Sequence, residues 1–240
     1  MARYLAIYAH PDDESFGFAG TAMKLIEAGH EVGLATLTRG EAGRWHPKPT
    51  GSWEPAELAR QRAKEWHGAV RTIGIQHAWL LRWPDGGVAN VDPDRITAQL
   101  VRIIRSFRPN VIVTFGPDGA GSEHDDHAAT SRLATRAFRW AASPGVLPGA
   151  GRPHRAQRLY YGTAPEGARS LRGRRPAGYL SPTHVVDISG YMDRKTQAFE
   201  NHRSQFKDRP FFHAMLRRRG PREYFHLAID RDRRPKATPL

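Results

Sequence analysis

Tyr4-Leu5-Ala6-Ile7-Tyr8-Ala9-His10-Pro11-Asp12-Asp13-Glu14 decides the fold reading, because a short apolar run passes directly into an imidazole and three carboxylates. So short a run reads as a buried strand, and the polar residues around Pro11 as the loop into a following helix. A second stretch repeats the order: Val111-Ile112-Val113-Thr114-Phe115 precedes His124-Asp125-Asp126-His127. In an open parallel sheet such loops leave the carboxyl ends of strands, where binding crevices form. The two clusters, remote in sequence, are therefore expected to share one crevice.

Working outward, the first half alternates strand-like and helix-like patterns. Phe16 to Ala28 has helical spacing closed by Gly29, and Glu31 to Thr38 reads as a second strand. The Gly- and Pro-broken stretch Arg39 to Pro55 is too long for an ordinary connection and is expected to be a functional loop or lid. Glu54 to Ile73 reads as a helix and His77 to Trp83 as a strand ending in the turn Pro84-Asp85-Gly86-Gly87. Asp92 to Phe107 and Asp125 to Trp140 read as helices flanking the strand Val111 to Phe115. This alternation predicts an α/β fold, Rossmann-like, with a mostly parallel sheet and helices on both faces. Residues 142–156 and 164–182 read as loops, Leu159 to Gly162, His184 to Ile188 and Tyr224 to Ile229 as further strands, and Met192 to Ser204 as a helix. One domain spanning 1–240 is the economical reading, with 1–145 as the half carrying the site and 146–240 as a more irregular portion.

Composition sets the outer bounds. The 240 residues are 39% hydrophobic, enough for a sizeable core, and no stretch is long and apolar enough for a membrane span. With no signal-peptide pattern after Met1, a cytoplasmic location is expected. The formal charge of +13 raises nucleic acid as a partner. The basic runs Arg169 to Arg175, Arg217 to Arg222 and Arg231 to Lys236 lack interleaved aromatics, so solvated loops are the favoured reading and no specific nucleic acid is expected. There is no cysteine, so any metal must be held by imidazole and carboxylate, which suits zinc, iron or manganese.

Pro11 stiffens the loop entry, so that His10 and Asp13 can converge on one point. His127 from the other loop completes a His2Asp set with an open position, the arrangement of a catalytic zinc rather than a structural one. Such a metal brings water to a nucleophilic form near neutral pH. Asp12 is then the candidate general base, and His124 the group that steadies an oxyanion or protonates a leaving amine. Asp126 is the candidate for orienting one of the imidazoles.

The segment Ala9 to Glu14, together with the HxDH spacing of His124, Asp126 and His127, resembles the LmbE/PIG-L family of metal-dependent N-acetylglucosamine deacetylases. Thr38-Arg39-Gly40-Glu41-Ala42-Gly43, Arg62-Ala63-Lys64-Glu65, Pro84-Asp85-Gly86 and His202-Arg203-Ser204-Gln205 are similar to further family features. The resemblance implies an LmbE-like deacetylase fold, Zn2+ or another divalent metal such as Fe2+ on His10, Asp13 and His127, and Asp12 as base with His124 as its partner. It also implies Arg62 and Asp85 as sugar-binding residues. The sequence departs from the pattern at Asp125, where many members have Pro, and at Ser122, where some thiol-pathway relatives have Tyr.

The expected activity is removal of acetyl from an N-acetylglucosamine-type small molecule, with an anionic aglycone suiting the positive charge. Hydrolysis of a different amide, in a thiol conjugate or a secondary metabolite, is the alternative. A basic nucleic-acid-binding module with a vestigial metal fold is a third. The sequence leaves both monomer and homo-oligomer open.

Overall fold

The computed structural model describes residues 1–46, 52–122, 124–167 and 177–232. Its centre is strand β1 (Arg3–Tyr8), whose residues alternate between two cores. Leu5 and Ile7 face one apolar cluster and Ala6 and Tyr8 the other, as the two-residue period of a strand requires. Helix α1 (Asp13–Gly17), helix α2 (Ala19–Glu27) and strand β2 (Glu31–Thr38) follow. Next come helix α3 (Pro55–Ile73), strand β3 (His77–Trp83), helix α4 (Pro93–Phe107), strand β4 (Val111–Phe115) and helix α5 (Asp125–Ala141). The remainder supplies β5 (Arg158–Gly162), β6 (His184–Asp187), α6 (Met192–Glu200), α7 (Arg209–Arg219) and β7 (Arg222–Asp230).

Among the described residues, all seven strands form one sheet in the order β3-β2-β1-β4-β5-β7-β6. β1 pairs in parallel with both β2 and β4, β2 with β3, and β4 with β5. The chain builds outward from β1 through β2 to β3, then returns to place β4 on the other side of β1. That reversal is a topological switch point, and the loops after β1 and β4 open onto it. The sheet is mostly parallel, as expected, with β7 antiparallel to β5 and β6 at one edge. Among the described residues, no helix is long and apolar enough to cross a membrane.

The helices start and stop for local reasons. Pro55 opens α3, and Gly74, at φ 90, closes it with its N–H on Val70 O. Asp92 caps α4 by accepting from Asp94 N at 2.9 Å, ahead of Pro93. Leu100, Ile104, Leu133 and Phe138 from α4 and α5 fill the core on one face of the sheet. Phe18, Met23, Trp66 and Val70 from the α1–α2 junction, α2 and α3 fill the other.

Three expectations are corrected. The single helix expected over Phe16 to Ala28 is two, interrupted at Phe18, where φ is −144. Glu223, at the start of β7, accepts from Gly20 N at 3.1 Å and Thr21 N at 2.8 Å, so a carboxylate two hundred residues away caps a new helix there. The helix expected over Met192 to Ser204 stops at Glu200, because the Asn201 side chain takes the carbonyls of Gln197 and Ala198. Helix α7 stands where Arg217 to Arg222 was read as loop: Phe212 and Met215, three apart, bury one face, and Arg217, Arg218 and Arg219 form the last turn, where cations suit the helix dipole. The run Arg169 to Arg175, part of Arg39 to Pro55 and most of Arg231 to Lys236 lie outside the described residues.

Candidate active site

The loop after β1 is held in an unusual shape. Asp12 has φ 110 and ψ −27, a left-handed conformation that costs a non-glycine residue about 1–3 kcal/mol. Glu14 holds it there by accepting from Asp12 N at 3.1 Å, while Ser15 N donates to Asp12 O at 2.8 Å. Glu14 is in turn fixed by Ser15 Oγ and His202 Nε2, both at 2.8 Å, and Glu14 and His202 are fully buried. His10 N donates to Asp13 Oδ2 at 2.7 Å, closing the turn.

The donor atoms of His10, Asp13 and His127 then meet. His10 Nδ1 lies 3.2 Å from His127 Nε2 and 3.5 Å from Asp13 Oδ2, and His127 Nε2 lies 3.2 Å from Asp13 Oδ1. Ligands on a tetrahedral zinc with bonds near 2.0–2.1 Å stand about 3.3 Å apart, so the spacing fits such an ion.

The proton positions fit as well. His10 Nε2 faces Asp85 Oδ1 at 2.9 Å and Asp126 Oδ2 at 3.2 Å, both acceptors, which puts hydrogen on Nε2 and leaves Nδ1 bare. His127 Nδ1 lies 2.8 Å from Ser122 Oγ and 3.3 Å from Gly119 O; the carbonyl can only accept, which leaves Nε2 bare. In the neutral imidazoles, two bare nitrogens and a carboxylate oxygen therefore face one point. His10, His124 and Asp126 form a second overlapping group of possible ligand atoms. Asp126 is already engaged by backbone donors, so the set with His127 is the better one.

Charges follow from this packing. Burial opposes a charged His10, yet hydrogen bonds to Asp126, Asp13 and Asp85 raise its pKa well above the ordinary range. Burial works against Asp13 also, but His127 and His10 outweigh it and hold the carboxyl well below its usual value. Asp12 behaves oppositely: burial pushes it up to about 7, against the pull of the Arg62 guanidinium and with help from Asp13. His124 is lowered by burial and then by the neighbouring imidazoles of His10 and His127. The cluster thus concentrates carboxylates around two histidines, an environment that favours a cation.

The remaining sequence candidates fall around this centre. Asp126, fully buried, accepts from Gly86 N at 2.7 Å and Val88 N at 3.0 Å besides touching His10, tying the turn after β3 to α5. His124 caps α5 by accepting from Asp126 N at 3.2 Å through Nδ1, which leaves its Nε2–H free to donate into the cavity. Arg62, from α3, donates to Asp12 Oδ2 at 3.1 Å, Pro11 O at 2.5 Å and Gly40 O at 3.0 Å. Gly40 makes that possible: at φ 69, any Cβ there would lie 2.2 Å from Arg62 Nη1. Glu65, one turn on, accepts from Ser204 N and Oγ, which explains why the Arg62 and Ser204 segments belong together. Asp85 has its two oxygens on His10 Nε2 and on Ala42 N at 2.8 Å. Both proposed sugar-binding residues border the cavity, with both Asp85 oxygens and both terminal nitrogens of Arg62 engaged by the protein, and Arg62 Nε buried without a partner among the described residues.

Sequence reasoning missed the role of Ser122, which links His127 Nδ1 to Gly119 O, and of His202, which braces Glu14. The signal was present for His202 in the segment His202 to Gln205, and absent for Ser122, a small hydroxyl in a Gly-rich loop. The cavity over the centre measures about 760 Å³ and is lined by residues from the loops after β1, β2 and β4 and by α7.

Known proteins are similar to this chain in sequence and fold. A family model described as PIG-L, GlcNAc-PI de-N-acetylase, matches residues 5–138. The 1D-myo-inositol 2-acetamido-2-deoxy-alpha-D-glucopyranoside deacetylase of Streptomyces scabiei is 34% identical over 80% of this chain and 68% of its own. The mycothiol S-conjugate amidase of Streptomyces coelicolor is 34% identical over 66% of this chain and 60% of its own. Among solved structures, the conserved protein TT1542 of Thermus thermophilus superposes with a TM-score of 0.76 at 29% identity, covering 96% of each chain. With its fold, its paired His and Asp clusters and these relatives, the chain belongs to the PIG-L family of LmbE-like deacetylases.

Proposed function

We propose that this protein hydrolyses the acetamide of an N-acetylglucosamine-type small molecule, with His10, Asp13 and His127 holding Zn2+ or another divalent cation such as Fe2+. The observation that carries this reading is the approach of His10 Nδ1 and His127 Nε2 to 3.2 Å, with the Asp13 carboxylate beside them. When bound, such a cation supplies a Lewis acid for the amide carbonyl and makes water more acidic.

The chain's own residues do the rest. Asp12, buried and held by Arg62, takes the proton from the attacking water as its oxygen bonds to the carbonyl carbon. A carboxyl whose pKa lies near 7 both accepts that proton and returns it to the departing amine as the C–N bond breaks, releasing acetate and the free amino sugar. His124 offers Nε2–H to the oxygen that gathers negative charge. Asp126 and Asp85 hold the His10 ring in its working tautomer. We assign Arg62 first to positioning Asp12, and only secondarily to touching the sugar.

The test is incubation of the metal-loaded protein with GlcNAc-inositol and other GlcNAc conjugates, following acetate and primary amine together. Release of both in equal amounts, abolished by Asp12→Asn, is the expected result. The similar amidase makes cleavage of another amide the competing outcome, and mass spectrometry of the products separates the two. Absence of acetate release from every conjugate would overturn the reading.

A further inference from the structure

The cavity is larger than one sugar ring needs, and its two ends differ. At 760 Å³ it sits in the upper part of the about 300–1,000 Å³ range of small-molecule sites. One end is the polar centre of His10, Asp13 and His127. The other is apolar, built by Phe16, Phe211 and Met215, with Arg219 at its edge.

This wall adjoins the centre directly, since Phe16 lies on the same helical turn as Asp13. Phe16 is fixed edge-on against Phe199 and Phe212, with ring centroids at 5.4 and 5.3 Å. Phe211 stands 6.0 Å from Phe16 at 31° and is 46% exposed, one of few large apolar side chains so open to solvent among the described residues. Its helical neighbour Phe212 stacks on Phe199 at 4.2 Å and is fully buried, so α7 is anchored while Phe211 projects toward the cavity. Arg219 ends the same helix; its guanidinium has no direct hydrogen bond or ion pair among the described residues, and the nearby carboxylate that acts on it, Glu223, is already held by Lys195. Deeper in, the Tyr8 hydroxyl is buried without a hydrogen-bond partner among the described residues, a donor with a cost unless something accepts from it. Arg44 adds positive charge to the lining, where Lys207 is paired with Asp208 at 4.0 Å.

We infer that this end is an aglycone subsite for an aromatic ring bearing a carboxylate. The ring packs against Phe16, Phe211 and Met215, and the carboxylate pairs with Arg219. Offset and edge-on ring contacts, and sulfur at a ring edge, are the contacts these side chains make best. A polyol aglycone would leave Phe211 wet and Arg219 without a directly paired anion. This assignment rests on the amino-sugar reading above and narrows its substrate class.

Three synthetic ligands decide it: the methyl, phenyl and 4-carboxyphenyl glycosides of N-acetylglucosamine, each as both anomers. Calorimetry on the metal-loaded protein gives the Kd of each, whether or not hydrolysis follows. For at least one anomer, phenyl should bind about tenfold more tightly than methyl, and 4-carboxyphenyl about tenfold more tightly again. Phe211→Ala should collapse the phenyl-to-methyl ratio, and Arg219→Gln the carboxyphenyl-to-phenyl ratio. Ratios taken within one variant cancel any loss of folded protein. Equal Kd values for the three ligands, or no binding of any, would overturn the subsite. Acetate release in the same samples tests the deacetylase reading separately, so a bound but unhydrolysed carboxyphenyl ligand supports the subsite while counting against the chemistry.

Discussion

Asp126 Oδ2 sits 3.2 Å from His10 Nε2, on the far side of the ring from the nitrogen that faces Asp13 and His127. The same carboxylate holds Gly86 N and Val88 N, so one buried side chain fixes both the imidazole and the turn after β3. Asp126→Asn replaces one acceptor with an NH2 group that cannot accept from Gly86, Val88 or His10 Nε2–H. Metal affinity should fall about 10–100-fold, the usual effect of losing such a partner. Competition with a fluorescent chelator measures it, and unchanged affinity would show that Asp85 alone suffices to orient the ring.

Asp12 and Asp13 are neighbours with opposite tasks, and one substitution separates them. Asp12→Asn keeps the size and the contact with Glu14 through the backbone, but removes the proton acceptor. It should lower kcat by about 10²–10⁴-fold, the contribution typical of a general base, with metal content unchanged. Asp13→Asn should instead lose metal. Elemental analysis beside the kinetic assay gives both answers; metal loss in Asp12→Asn would recast it as a ligand.

Gly40 tests the Arg62 bridge without touching a charged group. A Cβ at Gly40 would strike Arg62 Nη1 and force a positive φ on alanine. Gly40→Ala should thus displace Arg62 from Asp12 and lower kcat more than it raises KM. A change confined to KM would assign Arg62 to sugar binding, as the resemblance implied.

These relationships show what was legible beforehand. Both clusters could be read because each follows an apolar run whose strand position is unambiguous, and β1 and β4 do lie side by side. The family features at Arg62 and Asp85 were visible as motifs, but not the use of their polar atoms, which depends on where Pro11, Gly40 and Ala42 arrive in space. Helix α7 escaped because its buried face is short, Phe212 and Met215, and its partners Phe16 and Phe199 come from remote segments. The break at Phe18 escaped for the same reason, since its cap, Glu223, lies on the last strand.

The Glu14 and His202 pair should give stability a pH dependence of its own. Burial disfavours charge on His202, but the Glu14 carboxylate outweighs it and raises the imidazole above its ordinary 6.5. A raised histidine stabilises fully below 6.5, and its contribution is lost as pH climbs through the folded-state value. In chelator-treated protein, wild type should therefore exceed His202→Gln in Tm most at about pH 6, with the gap closing as pH rises through the folded-state value into the alkaline range. A constant gap across that range would mean that His202 acts by packing and neutral hydrogen bonding alone.

Glu223 makes the strongest stability prediction. It caps α2 and pairs with Lys195, both side chains being almost completely buried. Lys195 also donates to Phe16 O at 3.1 Å, so the pair ties β7, α6 and the α1–α2 junction together beside the aglycone wall. Lys195→Met leaves a buried carboxylate with its two amide contacts and the more distant Arg219 but no direct cationic partner, and should cost about 3–5 kcal/mol, measured by urea unfolding. Adding Glu223→Gln removes the orphaned charge while keeping an acceptor for Gly20 N and Thr21 N, so the double variant should recover part of that loss. A double variant weaker than Lys195→Met alone would show that the charge on Glu223, through the N-terminal dipole of α2, matters more than its pairing with Lys195.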